Sequence, residues 1–328
     1  MARTMPMSAV LLRRPDNAIK TSDAERERRY TWLEDVTGYT AVFACSRDSH
    51  WTWPSHTYAS SSASASLFTP PTMPPTQQRP RRLVGVSLKM YFDLPATLSY
   101  LRGVLQLDGD AWNANIDLFV IPDFISLTES ARILESSSIL LGAQDTFWED
   151  NGAYTGEVSP VVLRQAGVKL VEIGHAERRA HFGETEDWVA KKAGAAARNG
   201  IIPLVCVGET THHEVASAAV GTAIQECKPQ IESVLAAVPD DQEVILAYEP
   251  VWAIGAREPA DADHVVNVTQ ELRKLAAGRK GVTRIVYGGS AGPGTFAKIA
   301  QGVDGLFLGR FAHDIRNLKK VIEEVGGA

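Results

Sequence analysis

The chain has 328 residues, of which 45% are hydrophobic and 22% are charged, and its formal net charge is −6. This acidic balance gives no electrostatic footprint for nucleic acid or an anionic membrane surface, and no apolar run reaches the roughly 18 residues of a membrane span. The three cysteines, Cys45, Cys206 and Cys227, are too widely spaced for a disulfide framework or a metal site. We therefore expect a cytoplasmic protein without nucleic-acid or membrane partners.

Residues 1–82 differ in composition from the rest of the chain. They contain a Ser/Ala run at 60–66 and the Pro-rich segment TPPTMPPTQQRPRR at 69–82. Such composition cannot bury a core, which predicts a disordered N-terminal extension. Only TWLEDVTGYTAVFAC at 31–45 has potential for local order. A wrongly assigned start of the coding sequence is equally compatible, and early acidic residues disfavour a transit peptide without excluding import into an organelle.

From Leu83 onward, short apolar runs rich in β-forming residues alternate with helical patterns, the clearest at 186–199, 261–277 and 313–325. Repeated strand–helix units indicate parallel βαβ architecture, and the span 83–328 approaches the roughly 250 residues typical of a (β/α)8 barrel. We predict an α/β fold with one such barrel as a single domain. A doubly wound open sheet also fits the pattern, although no Gly-x-Gly-x-x-Gly turn follows an early strand. The predicted strands are LVGVSLK (83–89), IDLFVI (116–121), ILLGAQD (139–145), KLVEIGH (169–175), IIPLVCVG (201–208), EVILAYE (243–249), RIVYGG (284–289) and GLFLGR (305–310).

Reactive side chains follow several of these strands. In (β/α)8 barrels the chemistry lies at the C-terminal ends of the strands, so these side chains should converge at one mouth. Glycine-rich turns after the last two strands occupy the place where such barrels bind phosphate through backbone N–H groups. The residues concerned are Lys89, His175 with Glu177, Glu249, the turn Gly288, Gly289 and Ser290, and the turn Gly309 and Arg310.

Five motifs in this region resemble the triosephosphate isomerase family, whose fold is the TIM barrel. They are SLKM at 87–90, GHAERRAHFGE at 174–184, CVGE at 206–209, AYEPVWAIG at 247–255 and VYGGS at 286–290. The resemblance implies an isomerase that interconverts small aldose and ketose phosphates by enediolate proton transfer, without a metal or organic cofactor. The first expectation is conversion of dihydroxyacetone phosphate to glyceraldehyde 3-phosphate, a step of glycolysis and gluconeogenesis.

The resemblance also implies residue roles. Glu249 would be the base, and His175 the neutral imidazole that polarises the carbonyl, as the family's histidine does. Lys89 would stabilise negative charge on substrate oxygens, and Glu177 would support it by holding its ammonium group.

Other residues would bind the substrate or brace the site. Residues 250–252 would form the hinge of a lid and 254–256 its tip. Gly255, Ser290 and Gly309 map onto phosphate-contacting positions. Cys206 and Glu209 would pack beside the site, and His212 and His213 would begin a solvated helix rather than bind metal.

Three positions depart from the family pattern. Ser87 stands where the family has asparagine, Ala176 where it has serine, and Arg310 where it has a second glycine. Ser87 leaves room near the substrate carbonyl, and Arg310 either grips the phosphate or points outward. Ser87 and Arg310 also resemble a branch that isomerises L-erythrulose 1-phosphate, which stays an alternative substrate. A non-catalytic barrel that serves as a binding partner is a third reading, disfavoured by the retained lysine, histidine and glutamate.

The segment GAQDTFWEDNGAYTGEVSP at 142–160 resembles the family's third loop, which inserts into a neighbouring subunit. This implies a homodimer in which Thr155 approaches Ser87 and Lys89 of the other subunit.

Overall fold

The computed structural model of the protein describes residues 30–34, 40–44, 82–213, 215–257 and 259–328. The chain forms two compact units, residues 1–73 and 74–328. In the first unit, β1 (Tyr30–Glu34) pairs antiparallel with β2 (Thr40–Ala44). These strands nearly coincide with 31–45, where the sequence indicated local order. The predicted disorder of the other residues before Arg82 lies outside the described residues.

The second unit is a closed barrel of eight parallel strands in the order β10-β3-β4-β5-β6-β7-β8-β9. The predicted single (β/α)8 barrel is therefore confirmed, and the open sheet is wrong. The barrel begins one residue before the predicted Leu83. Its strands are β3 (Arg82–Ser87), β4 (Ile116–Ile121), β5 (Leu140–Ala143), β6 (Leu170–Ile173), β7 (Ile202–Val207), β8 (Val244–Tyr248), β9 (Thr283–Tyr287) and β10 (Gly305–Leu308).

Helices surround the barrel, and those predicted at 186–199, 261–277 and 313–325 are confirmed with small differences at their ends. Each of the three begins at a side-chain cap: Thr185 accepts from the Trp188 N–H, Asp261 from the His264 N–H and Asp314 from the Arg316 N–H. None of the helices in the described ranges is both long and apolar enough to cross a membrane. The helices are α1 (Leu94–Leu105), α2 (Asp108–Asn113), α3 (Leu127–Leu134), α4 (Pro160–Gln165), α5 (Ala176–Phe182), α6 (Glu186–Arg198), α7 (Ala216–Ala237), α8 (Ala262–Leu275), α9 (Thr295–Ile299) and α10 (Ile315–Gly327).

Alternating side chains of the strands build two apolar layers. Residues such as Val84 and Val171 point outward against the helices, while Leu83, Phe119 and Leu170 fill the barrel interior. Gly85 makes room for this filling, because a Cβ there would lie 2.0 Å from the Phe119 ring. The interior is thus a packed core, and it closes the floor beneath the C-terminal mouth.

Candidate active site

A cavity of about 870 Å³ opens at the C-terminal mouth of the barrel. The structure brings all nine sequence-predicted site residues to its wall, although they come from segments that are far apart in the chain. Convergence follows from the parallel closed sheet, which places the C-terminal ends of all eight strands at one rim. These residues are Ser87, Lys89, His175, Glu177, Glu249, Gly255, Ser290, Gly309 and Arg310.

Lys89 lies just beyond β3 in a left-handed backbone conformation, with φ of 48°. Such a φ is uncommon outside glycine. The Gln144 amide secures it by donating to the Lys89 carbonyl oxygen at 2.8 Å. The Lys89 ammonium donates to Glu177 at 2.7 Å. Burial opposes the charge of Lys89, but the hydrogen bond to Glu177 and the attraction of nearby carboxylates raise its pKa, so the site holds a fixed cation.

His175 is the N-cap of α5, where its Nδ1 accepts the Glu177 backbone N–H at 3.1 Å. Nδ1 therefore carries no proton in this arrangement, and the ring proton is on Nε2. Burial and then the charge of Lys89 lower the pKa of His175 to about 4, so the ring is neutral near pH 7. Nε2 lies 3.3 Å from Lys89 Nζ. Two adjacent donors that both face the cavity form a receptor for one substrate oxygen.

Glu249 follows β8 and is only 3% exposed. Its Oε2 lies 3.6 Å from His175 Nε2 and has no hydrogen-bond partner among the described residues. Burial first, and then the negative charge of Glu172, raise its pKa to about 8. Gly288 is necessary for this placement, because a Cβ there would lie 2.4 Å from Glu249 Oε1. A buried and unusually basic carboxylate, with one oxygen free of hydrogen bonds from the described residues, is suited to removing a proton from carbon.

Glu172 is a cavity residue that the sequence analysis missed. It lies within β6 and is 4% exposed, and Ser87 Oγ donates to its Oε2 at 2.9 Å. Burial raises its pKa to about 7, against the opposing effects of Ser87 and Lys89. The signal was present in the sequence: a carboxylate in the apolar run 170–173, which the barrel buries throughout.

The segment after Glu249, which the sequence analysis predicts to be a lid, is tied to the barrel at both ends. The predicted hinge contains a 3-10 turn, Val251–Ala253, in which Trp252 Nε1 donates to Glu209 Oε1 at 3.0 Å. Gly255 has φ of 70°, a conformation that favours glycine. Ser290 Oγ donates to the Ala256 carbonyl at 2.8 Å. The predicted bracing role of Glu209 is therefore seen directly.

Arg310 opens a 3-10 turn, Arg310–His313, directly after β10. Its guanidinium carbon lies 5.8 Å from the centre of the Tyr91 ring, and both residues line the cavity. No ion pair within the described part of the chain engages Arg310, so its charge is available to an anion at this rim. Gly309 next to it has open space where a Cβ would lie.

His212 and His213 lie outside this cavity. Both are exposed and lie just before α7, which begins at Ala216, and His213 Nδ1 accepts the Val215 N–H, in keeping with the expected solvated helix start. The His212 ring packs on Trp252 with centres 4.3 Å apart, beside a second cavity of about 310 Å³. Among the residues that the structure describes, no three His, Cys, Asp or Glu side chains form a group that could hold a metal ion.

The closed barrel, with its donor and acceptor groups at the C-terminal mouth, places the protein among the (β/α)8-barrel enzymes. Residues 82–325 match the family model described as triosephosphate isomerase, and the chain belongs to this family. It is therefore an isomerase of small sugar phosphates.

Curated relatives refine this assignment. The chain is 42% identical over 249 residues to the L-erythrulose-1-phosphate isomerase of Pectobacterium atrosepticum, covering 74% of this chain and 94% of the relative. It is 38% identical over 252 residues to the protein of the same name from Rhizobium etli, covering 75% and 92%. It is 40% identical over 204 residues to the triosephosphate isomerase of Thermoanaerobacter pseudethanolicus, covering 60% and 82%. The similarity thus favours the alternative substrate of the sequence analysis over its first expectation.

Proposed function

We propose that the protein isomerises L-erythrulose 1-phosphate through an enediolate. The convergence of Glu249 with the two donors Lys89 and His175 carries the reaction type. Similarity to relatives named for L-erythrulose 1-phosphate supports the substrate. Arg310, the departure that resembles this branch, adds a cation to the cavity wall.

The proposed reaction is a carbon-to-carbon proton transfer. In L-erythrulose 1-phosphate the carbonyl is at C2 and the proton to be removed is on C3. Glu249 takes this proton as the C3–H bond breaks and a C2–C3 double bond forms. The electron pair of the carbonyl moves to its oxygen, where Lys89 and His175 donate hydrogen bonds. His175 Nε2 gives its proton to the C2 oxygen and takes the proton of the C3 hydroxyl, and Glu249 returns the carbon-bound proton to C2, which leaves the carbonyl at C3. These two steps give an isomeric tetrulose phosphate.

The remaining cavity residues would hold the substrate in place. Glu177 orients the Lys89 ammonium through the 2.7 Å contact. The Gly309 turn, the Ser290 segment and Gly255 of the lid offer backbone N–H groups to the phosphate, and Arg310 offers a charge. A phosphate held at this rim would place the sugar carbons above Glu249.

Triosephosphate isomerisation is the second candidate, because the same three side chains serve it and a triosephosphate isomerase is among the similar proteins. With dihydroxyacetone phosphate the same proton transfer places the carbonyl at C1 and yields an aldehyde. A non-catalytic barrel is disfavoured, since packing does not require a buried carboxylate such as Glu249, whose Oε2 has no hydrogen-bond partner among the described residues.

Kinetics with both substrates side by side test the proposal. We expect kcat/KM of the purified protein to be higher for L-erythrulose 1-phosphate than for dihydroxyacetone phosphate, with both activities absent in Glu249→Gln. A higher value for the three-carbon substrate would assign the protein to triosephosphate isomerisation. If Glu249→Gln kept both activities, Glu249 would not be the base.

We also propose a homodimer formed through residues 142–160. Residues 151–157 of this loop are all exposed in the single chain, and they include Thr155. Analytical ultracentrifugation should show a dimer at micromolar concentration. Thr155→Arg should weaken it and lower activity in parallel, whereas a fully active monomer would contradict the proposal.

A cytoplasmic location is proposed from the thiols. Cys206 and Cys227 are free and buried in the structure, which fits a reducing compartment. Fractionation of cells that express the full chain, with its N-terminal extension intact, tests this directly. Recovery in an organellar fraction would favour import instead.

A further inference from the structure

The Ser87–Glu172 pair is the polar part of the cavity floor that the proposed proton transfer leaves without a role. Ser87 ends β3 and Glu172 lies in β6, and these strands are not neighbours in the barrel. Their 2.9 Å hydrogen bond therefore crosses the barrel interior. Both residues are nearly inaccessible, at 2% and 4% exposure.

Packing does not explain this pair. Leu170 and Glu172 point inward from β6, and the layer of Leu170 is apolar, with Phe119 and Leu204 beside it. A carboxyl group directly above such a layer is costly unless it is well hydrogen-bonded. Within the described residues only Ser87 binds it, through Oε2, while Glu172 itself lines the cavity. The Oε1 atom is thus left for a ligand.

The order of the barrel strands indicates which part of a ligand would reach Glu172. β6 lies four strands from β10 in either direction around the eight-stranded barrel, so the two strands are opposite each other. A phosphate at the turn of Gly309 and Arg310, after β10, directs the rest of the substrate across the mouth. The end most distant from the phosphate then lies on the side of β6.

In L-erythrulose 1-phosphate that distant end is the C4 hydroxymethyl group, which dihydroxyacetone phosphate lacks. We propose that Glu172, oriented by Ser87, binds the C4 hydroxyl and is the residue that selects a four-carbon over a three-carbon sugar phosphate. The small Ser87 side chain leaves space for the additional carbon. This inference rests on the proposed function, because it takes that substrate as the ligand.

The proposal gives Glu172 a role distinct from that of Glu249. A hydroxyl bound at C4 keeps the same partner before and after proton transfer, so it contributes to binding rather than to the chemical step. This contact also gives selectivity, because a buried polar group whose partner is a substrate hydroxyl rejects an analogue that lacks the hydroxyl. Ser87 orients Glu172 and leaves space for the additional carbon without binding the hydroxyl itself, so it is a positioning residue.

The experiment compares two unreactive ligands that differ by one hydroxyl-bearing carbon, erythritol 1-phosphate and glycerol 1-phosphate, by calorimetry. The parent protein should bind the four-carbon ligand more tightly by about tenfold to a hundredfold, the range for a hydrogen bond to a charged partner. Glu172→Leu should abolish this difference by weakening only the four-carbon ligand. Ser87→Ala should reduce the difference partly. Equal weakening of both ligands, or no change in their ratio, would overturn the proposal.

Glu172→Gln provides a variant of nearly the same shape in case the leucine variant does not fold. It should reduce the four-carbon preference less than leucine, because its amide oxygen still accepts a hydroxyl. Removing the charge of Glu172 also lowers the pKa of Glu249. The rise of kcat/KM with pH should therefore occur at lower pH in this variant than in the parent, for both substrates. The charged groups that act on Glu172 are Lys89, Glu177 and Asp145. Besides Glu172, the groups that act on the titration of Glu249 are Lys89, Cys206 and Glu177.

Binding and turnover separate the two proposals. If the parent converts the triose phosphate faster while Glu172 still controls the binding ratio, only the proposed function fails. If the parent prefers the tetrulose phosphate while both Glu172 variants keep the parent ratio, only the assignment of Glu172 fails.

Discussion

The two ends of the cavity are built in different ways. At the reacting end, His175 and Glu249 are buried side chains whose pKa values are shifted by burial and by nearby charges. At the phosphate end, Ser290 and Gly309 belong to backbone turns, and Arg310 is an exposed side chain. Burial gives the first end its chemical reactivity, whereas the second end needs only accessible donors. Changes at the first end should therefore affect kcat, and changes at the second end KM.

The largest effect should come from shortening the base. Glu249→Asp keeps the charge but retracts the carboxylate by roughly 1 Å, and misplacement on that scale costs about 100-fold in rate. We expect kcat to fall by that factor while KM changes little. Steady-state kinetics, with Glu129→Asp on the exposed face of α3 as the control, measures this. An unchanged kcat would mean that another group is the base.

The second effect should appear at the opposite rim. If Arg310 grips the phosphate, Arg310→Gly should raise KM by about tenfold to a hundredfold, as expected for a charge-assisted contact, while kcat stays constant. Preference should also move toward the three-carbon substrate, because the family's glycine turn is restored. Arg316→Ala removes a neighbouring exposed arginine, one paired with Asp314, and should change neither constant. If Arg310→Gly left the KM of every phosphorylated substrate unchanged from the parent value, Arg310 would lie outside the phosphate site.

A smaller effect should appear in stability. Because burial raises the pKa of Glu172 and Glu249 to about 7 and about 8, the folded protein keeps protons that the unfolded chain releases above its ordinary glutamate pKa. The folded state then binds more protons, and stability falls as pH rises from 5 to 9. Glu249→Gln should lessen this fall, seen as a shallower dependence of Tm on pH by a few degrees. Parallel curves for variant and parent would contradict the pKa shift.

The smallest effect concerns the hinge that joins the two ends. Trp252→Phe removes the 3.0 Å bond to Glu209, which keeps Tyr248 and His264 as partners. We expect a loss of about 1 kcal/mol in the free energy of unfolding. Trp112→Phe, at a half-exposed site on α2, is the control and should cost less. If chemical denaturation showed the same loss of unfolding free energy for Trp252→Phe and Trp112→Phe, the bond between Trp252 and Glu209 would contribute nothing to stability.

The sequence by itself determined the barrel and most of its site. Eight apolar runs separated by helical periods identify parallel strands. A closed parallel barrel brings the C-terminal ends of these strands to one rim. The sequence therefore predicts that Lys89, His175 and Glu249 lie close together. The family motifs occur in the sequence in their expected order. Ser87 and Arg310, two positions at which this chain differs from the family pattern, could therefore be identified from the sequence.

Only the tertiary structure decided the position of Glu172 in the cavity and the direction of Arg310. Along the sequence Glu172 is one charge in an apolar strand, and its partner Ser87 is 85 positions away. Whether such a carboxyl group faces helices, solvent or the cavity depends on strand register and barrel closure, which local patterns do not encode. Likewise, the pKa values of Glu249 and His175 follow from burial and from charges on other strands, so the chemistry of the site exists only once the barrel has closed.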